Sequence, residues 1–157
     1  MIVALSASMA LAATTINSAN APSGTHLQAG AIGCTVGTNG LTVTCTAFEL
    51  AGVGNTNADV LLTATYSGVV DCRNHGGNVV ESHETTFSVE SGGTVRSSRN
   101  GRLRVPAQSV SPDLDLAEPC PNPNWTPEFH AGSPTLDSWT YTLTFAGFTQ
   151  PYITITP

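Results

Sequence analysis

The chain has 157 residues, of which only 10% are charged, and its formal net charge is −6 at pH 7. This length fits a single domain, and the absence of lysine combined with abundant threonine and serine favours exposed β-sheet surfaces over exposed helix faces. The negative charge argues against a general nucleic-acid partner, because phosphate binding needs clustered positive charge.

The first 21 residues have the pattern of a secretory signal peptide. Residues 2–16 form an apolar run of small residues without an acid or a base, and Ala19-Asn20-Ala21 fits the small-x-small pattern of a signal peptidase site. Pro22 directly follows this cut. The alternative is a short membrane anchor, but the run is too short to span a bilayer stably. We therefore expect residues 1–21 to be a signal peptide and residues 22–157 to form one domain of a secreted, extracellular protein.

Residues 34–45 have the pattern of a disulfide-linked β-hairpin. Asn39-Gly40 is the preferred pair for a two-residue type I′ turn, because both turn positions need a positive φ. A turn there places Cys34 opposite Cys45 at a hydrogen-bonded pair, with Cα atoms about 5.5 Å apart, which suits a disulfide. Cys72 and Cys120 are left for each other. Because no Cys-x-x-Cys pair is present, zinc is not expected.

Alternation of apolar and polar residues predicts further strands along the chain. The longest covers residues 59–71, and others are expected at 79–90, 136–145 and 151–156. Ser91-Gly92-Gly93 predicts a break after the second of these strands. A second Asn-Gly pair, Asn100-Gly101, predicts a hairpin whose arginines and Pro106 indicate an edge strand. Residues 111–134 contain six of the ten prolines and predict a long loop.

These elements predict an all-β fold. About seven short strands with regular turns and two disulfides are typical of an antiparallel, immunoglobulin-like β-sandwich. A closed β-barrel is the alternative.

Two segments carry a resemblance that goes beyond composition. Residues 72–78 form a Cys-x-Asn-x-Gly-Gly-Asn turn, and residues 120–125 form a Cys-Pro-x-Pro-x-Trp loop. With these motifs, residues 34–145 resemble a group of small, secreted, uncharacterised proteins of actinobacteria. The resemblance implies export and a β-rich fold, and it implies no catalytic residues.

The Pro-rich loop contains a candidate ligand-binding group. Trp125 lies close to Asn122 and Asn124, and an exposed tryptophan beside amides is typical of a platform on which a sugar ring stacks. The alternative is that Trp125 folds back to cap one end of the core near Cys120.

Four of the five basic residues lie within nine positions of each other, and these are Arg96, Arg99, Arg102 and Arg104. They could dock an anionic polymer such as a wall-associated polysaccharide. The alternative is that they only keep an edge hairpin soluble.

Other polar groups are weaker candidates. Scattered histidines could bind a metal in pairs: His26, His75, His83 and His130. The acidic residues Asp113, Asp115 and Glu118 resemble the start of a calcium loop, but the Gly and the distal Glu of that motif are missing. No serine lies in a Gly-x-Ser-x-Gly context, so a hydrolase triad is not indicated.

The sequence therefore predicts an exported structural or interaction protein of the cell surface or extracellular matrix, without catalysis, metal or cofactor. Its expected partners are cell-wall or extracellular polysaccharide, or further copies of itself. One alternative is a carbohydrate-binding module that uses Trp125. A further alternative is a filament subunit that exchanges strands with its neighbours.

Overall fold

The structure is a computed structural model that describes residues 12–117 and 119–157. The described residues form twelve strands and two short 3₁₀ helices, Ser18–Asn20 and Leu114–Leu116. The strands are β1 (Ala13–Ile16), β2 (His26–Gly30), β3 (Cys34–Val36), β4 (Val43–Cys45), β5 (Phe48–Ala51), β6 (Ala58–Arg73), β7 (Val79–Val95), β8 (Leu103–Val105), β9 (Gln108–Val110), β10 (Thr126–Phe129), β11 (Thr135–Phe145) and β12 (Ile153–Thr156).

The strands form one large antiparallel sheet and two small ones. The large sheet has the order β1-β12-β11-β6-β10, with β7 on the other side of β6. The small sheets have the orders β2-β5-β8 and β3-β4-β9. All three sheets are open, and their buried residues form a single core cluster. The predicted β-sandwich is therefore confirmed, and the alternative of a closed barrel is wrong.

The predicted number of about seven strands is too low. Nine of the twelve strands have only three to five residues. A segment of that length shows one or two alternations, which is too few to recognise from sequence.

The centre of the core comes from β6 and β11, as their alternation predicts. Val60, Leu62 and Tyr66 of β6 are at most 2% exposed. On β11, Tyr141 and Leu143 are equally buried and pair in register with β6. Burial on alternate positions leaves the threonines of both strands on the outer face of the large sheet, as period-2 strands require.

The hairpin of residues 34–45 has the predicted register but a different turn. Cys34 pairs with Cys45, to which it is disulfide-bonded, and Val36 pairs with Val43. Gly40 has a φ of 71°, while the described residues include no positive φ outside glycine, so Asn39-Gly40 is not a type I′ turn. Instead, the Gly37 amide donates to the Thr42 carbonyl and closes a longer, four-residue loop of residues 38–41, within which the Gly40 amide donates to the Gly37 carbonyl.

This longer loop also changes the environment of the first disulfide. The Gly37 amide donates to the Thr42 carbonyl, and the Thr46 amide donates to the Gly33 carbonyl. Because hydrogen-bonded pairs alternate with non-hydrogen-bonded ones, Cys34 and Cys45 occupy a non-hydrogen-bonded pair. Their Cα atoms are 4.0 Å apart, and the expected 5.5 Å is wrong for that reason.

The predicted break at Ser91-Gly92-Gly93 is wrong, because β7 continues through it to Val95. A Cβ on Gly92 would lie 2.0 Å from the carbonyl oxygen of Val60 on the neighbouring strand. Glycine here permits a close approach of two backbones and does not end the strand.

The predicted long loop of residues 111–134 contains two elements that the sequence did not indicate. The first is a 3₁₀ turn whose N-cap is Asp113, and the second is β10, which pairs with the end of β6. The second predicted disulfide, Cys72–Cys120, is confirmed and ties this segment to β6.

Part of the predicted signal peptide is folded against the domain. Strand β1 pairs with β12, and Ala21 is only 8% exposed. Residues 1–11 lie outside the described part of the chain. Cleavage after Ala21 stays a prediction.

Candidate functional site

A groove of about 440 Å³ is lined by charged and polar side chains on the outer surface of the sandwich. We call it the arginine groove, and its lining residues are Glu49, Arg96, Ser98, Asn100, Arg102 and Arg104. Three guanidinium groups and one carboxylate give it a formal charge of +2 in a chain whose net charge is −6.

The alternation of two paired strands places the central residues of the groove. In β8, Leu103 and Val105 are buried, so Arg104 between them points outward, and its side chain is 88% exposed. Glu49 lies opposite Arg104 on the neighbouring strand β5. Strand β8 is the edge of its sheet, as the arginines and Pro106 predict.

The predicted Asn100-Gly101 turn is present and forms one rim of the groove. The Ser98 amide donates to the Arg102 carbonyl, and Gly101 has a φ of 74°. The strands on either side do not continue as a hairpin, since β7 pairs with β6 and β8 pairs with β5. The turn therefore connects strands of two different sheets, and both Arg96 and Arg104 line the one groove.

Glu49 is held by two arginines. Nη1 of Arg102 donates to one carboxylate oxygen at 2.6 Å, and Nε of Arg104 donates to the other at 3.1 Å. The hydrogen bond from Arg102 is the largest cause that lowers the pKa of Glu49, partial burial opposes it, and the bond from Arg104 adds to it. Glu49 is thus an ionised, partly buried carboxylate that accepts a charge-assisted hydrogen bond from each of two arginines of the groove.

The remaining arginines differ in their partners. Arg73 is paired with Glu128 at the other end of β6. Arg96 belongs to none of the ion pairs among the described residues, although it lines the groove. Arg99 is exposed and does not line the groove. Arg96 is therefore the guanidinium most available to a ligand, and Arg99 is its matched control.

A second polar cluster lies where β6, β7 and the loop after β10 meet. Asp71 is 6% exposed and accepts hydrogen bonds from Oγ of Ser82 at 2.5 Å and from Nδ1 of His130 at 2.7 Å. An ionised carboxylate only accepts, so Nδ1 of His130 carries the proton, and Nε2 is left for solvent. The Ser82 hydroxyl donates to Asp71 and not to His130, so the arrangement is not a nucleophile–base relay.

These contacts predict a pH-dependent stability. The hydrogen bond from Ser82, followed by that from His130, lowers the pKa of Asp71 below its usual value, with burial opposing the shift. Because the pKa of Asp71 is lower in the folded protein than in the unfolded chain, the ionised carboxylate stabilises the fold at pH values above the unfolded pKa of about 3.9. This stabilisation is lost as the pH falls through the folded-state pKa. We expect Asp71→Asn to lower the urea midpoint at pH 7, and the difference from the unaltered protein to shrink below about pH 4.

Glu84→Gln is the control for this prediction, because Glu84 is exposed on the strand that carries Ser82. A difference between Asp71→Asn and the unaltered protein that stays constant from pH 7 to about pH 2 would show that the ionised carboxylate contributes nothing through these bonds.

Of the predicted metal-binding histidines, only His83 belongs to a group of three potential metal ligands in the described part of the chain. Ligand atoms of Cys72, Glu81 and His83 lie within 4.8 Å of one another. Because Sγ of Cys72 is bonded to Cys120, it cannot act as a thiolate. One carboxylate and one imidazole remain, with Nδ1 of His83 already 3.0 Å from Glu81.

The structure brings Trp125, Asn122 and Asn124 together in one turn. The Trp125 amide donates to the Asn122 carbonyl, and the Asn124 amide donates to the Asn122 side chain. Trp125 is half-buried and lies outside the core cluster formed by the described residues. It does not line the arginine groove. Its role in ligand binding stays a prediction.

In the acidic segment, Asp113 has a structural contact. Its carboxylate accepts from the Asp115 amide at 2.9 Å and caps a 3₁₀ turn. Glu118 lies outside the described residues.

Comparison with protein-family models, with curated proteins and with solved structures found no match. The resemblance to secreted actinobacterial proteins stays a prediction. Within residues 12–117 and 119–157, no helix has the length and hydropathy needed to cross a membrane.

Proposed function

We propose that this protein is an exported, non-catalytic interaction protein of the cell surface or extracellular matrix, and that the arginine groove binds an anionic polysaccharide. The observation that carries the proposal is the groove, where three of the five basic residues of an acidic chain converge.

Two features support export. Both disulfides close between residues that the fold brings together, and disulfides persist in oxidising compartments. The absence of lysine and the threonine-rich outer face of the large sheet also suit a chain that stays folded outside the cell.

The shape and chemistry of the groove favour a polymer with repeated anionic groups. Guanidinium groups bind carboxylate and sulfate through charge-assisted hydrogen bonds, and Arg102 and Arg104 each donate one such bond to Glu49. The groove lies beside the edge strand β8, whose Arg104 is largely exposed to a ligand from solvent. Arg96 supplies the unpaired charge, and the side chains of Ser98 and Asn100 supply polar contacts to sugar hydroxyls.

The test is calorimetric titration with polygalacturonate and with dextran sulfate, and with neutral dextran as the uncharged control. We expect Arg96→Ala to weaken binding of an anionic polymer about tenfold, because one charge-assisted hydrogen bond contributes roughly 1.5 kcal/mol. Arg99→Ala removes the same charge outside the groove and is expected to change the affinity less than about twofold.

Two results would contradict the proposal. One is an equal loss of affinity in the two variants, which would mean a diffuse charge effect. The other is binding of neutral dextran as tight as that of the anionic polymers. Added salt is expected to weaken binding of the anionic polymers, since the Debye length falls from about 10 Å at 0.1 M to about 3 Å at 1 M and attraction between exposed charges is screened beyond it.

Two further features concern the alternative functions, namely the environment of Trp125 and the pairing of the β12 edge. Trp125 is half-buried, and sugar binding in the Pro-rich loop stays a prediction. For strand exchange, the edge of β12 is already paired with β1 of the same chain. Strand exchange at that edge would need β1 to detach first.

A further inference from the structure

The segment that begins at Ala13 is an integral part of the fold. Residues Ala13–Ile16 pair with β12 in antiparallel register. The Asn17 amide then donates to the Tyr152 carbonyl at 2.8 Å, and the Asn20 side chain donates to the Pro151 carbonyl at 3.0 Å. Ala21 is 8% exposed and belongs to the core cluster.

Removal of residues 13–21 would undo all of these contacts. It would also leave the backbone of β12 without a partner along its outer edge. An unpaired strand edge is a template for aggregation, so a secreted protein gains from keeping β1.

A second small-x-small sequence lies directly before this strand. Ala10-Leu11-Ala12 places alanine at both positions that signal peptidase reads, and an apolar run precedes it. The bond that follows Ala12 leads into Ala13, the first residue of β1. In contrast, the bond after Ala21 leads into Pro22, whose nitrogen has no hydrogen and carries the ring.

We propose that signal peptidase cuts this chain between Ala12 and Ala13, and that the mature protein begins with β1. This inference rests on the proposed export. Water is the co-reactant: the bond between the Ala12 carbonyl carbon and the Ala13 nitrogen breaks, hydroxide adds to the carbonyl carbon, and the proton goes to the nitrogen. The cut occurs before folding, during translocation. The mature domain then closes the edge of β12 with its own first strand.

The experiment determines the N-terminus of the protein exported by a bacterial secretion host, by intact mass under non-reducing conditions and by N-terminal sequencing. We expect Ala13 as the first residue. Each of two variants places one positive charge at the third residue before one of the two candidate cuts, which are the bond after Ala12 and the bond after Ala21. Ala10→Arg is expected to abolish the Ala13 terminus, and Ala19→Arg is expected to leave it unchanged. Ala19 is exposed, so its replacement is compatible with folding.

The outcomes separate this inference from the proposed function. An exported protein that begins at Pro22, or one whose processing is blocked by Ala19→Arg, overturns the inference and leaves export intact. An unaltered chain that stays uncut inside the cell contradicts export, and the proposed function fails with it.

Discussion

Replacing Cys72 and Cys120 together by alanine is expected to lower the free energy of unfolding by about 4 kcal/mol. The disulfide joins residues 48 positions apart, so its loss returns a large loop-closure entropy to the unfolded chain. It also removes the covalent link between the Pro-rich segment and β6, with which β10 pairs over four residues. The measurement is equilibrium denaturation by guanidinium chloride of the oxidised protein and the double variant.

The matched control is the double replacement of Cys34 and Cys45. Their separation is 11 positions, and the same argument gives about 3 kcal/mol. The two disulfides close loops of different length, so the comparison tests the effect of loop length on the free energy of unfolding. A larger decrease in the free energy of unfolding on removal of Cys34–Cys45 than on removal of Cys72–Cys120 would contradict the expectation that the longer loop gives the larger stabilisation.

Gly92→Ala is expected to destabilise the fold by at least about 3 kcal/mol, because an added methyl group must displace backbone. Its Cβ would lie 2.0 Å from the Val60 carbonyl oxygen and 3.0 Å from the Leu61 Cα. Both atoms belong to β6, the central strand of the large sheet, which cannot move without disturbing the core.

Gly93→Ala is the control for that substitution. Its φ of 154° is close to the 157° of Gly92, but a Cβ there meets nothing within 4 Å. Only the strain of a positive φ remains, with an expected cost of about 1 kcal/mol. Thermal denaturation of the two variants and of the unaltered protein measures both losses of stability. Equal losses of stability would show that the close approach of β6 and β7 is not what requires glycine.

The long strands of the fold could be predicted because they bury one face. In β6 the apolar residues alternate from Ala58 to Tyr66, and in β11 they alternate from Trp139 to Phe145, and the structure buries those positions. The Cys34–Cys45 register was also predictable, since it depends only on where the loop is centred. The turn type was not, because a two-residue and a four-residue loop around Asn39-Gly40 give the same register.

Other elements depend on contacts between distant parts of the chain. Strand β10 includes Pro127 and follows a Pro-rich segment, so its pairing with β6 gives no local signal. The pair Gly92-Gly93 has the local sequence pattern of a strand break. In the fold this pair continues β7, because the Val60 backbone of β6 approaches Gly92 closely.

The candidate site was predictable only in part. The sequence places the arginines in one short segment, but Glu49, which orders two of them, lies about fifty residues earlier. The contact between Asp71 and His130 joins residues 59 positions apart and could not be derived from spacing. The sequence therefore indicated that the arginine segment is positively charged. The register of β5 against β8, which places Glu49 beside Arg104, could be read only from the structure.

The most direct test of the proposed function is an NMR titration of the isotope-labelled protein with polygalacturonate, observing arginine Nε–H and tryptophan indole N–H resonances. Binding in the arginine groove predicts shifts for Arg96, Arg102 and Arg104, with Arg73 and Arg99 unchanged. Shifts confined to the indole of Trp125, or no shifts in the groove at concentrations where the polymer binds, would contradict it.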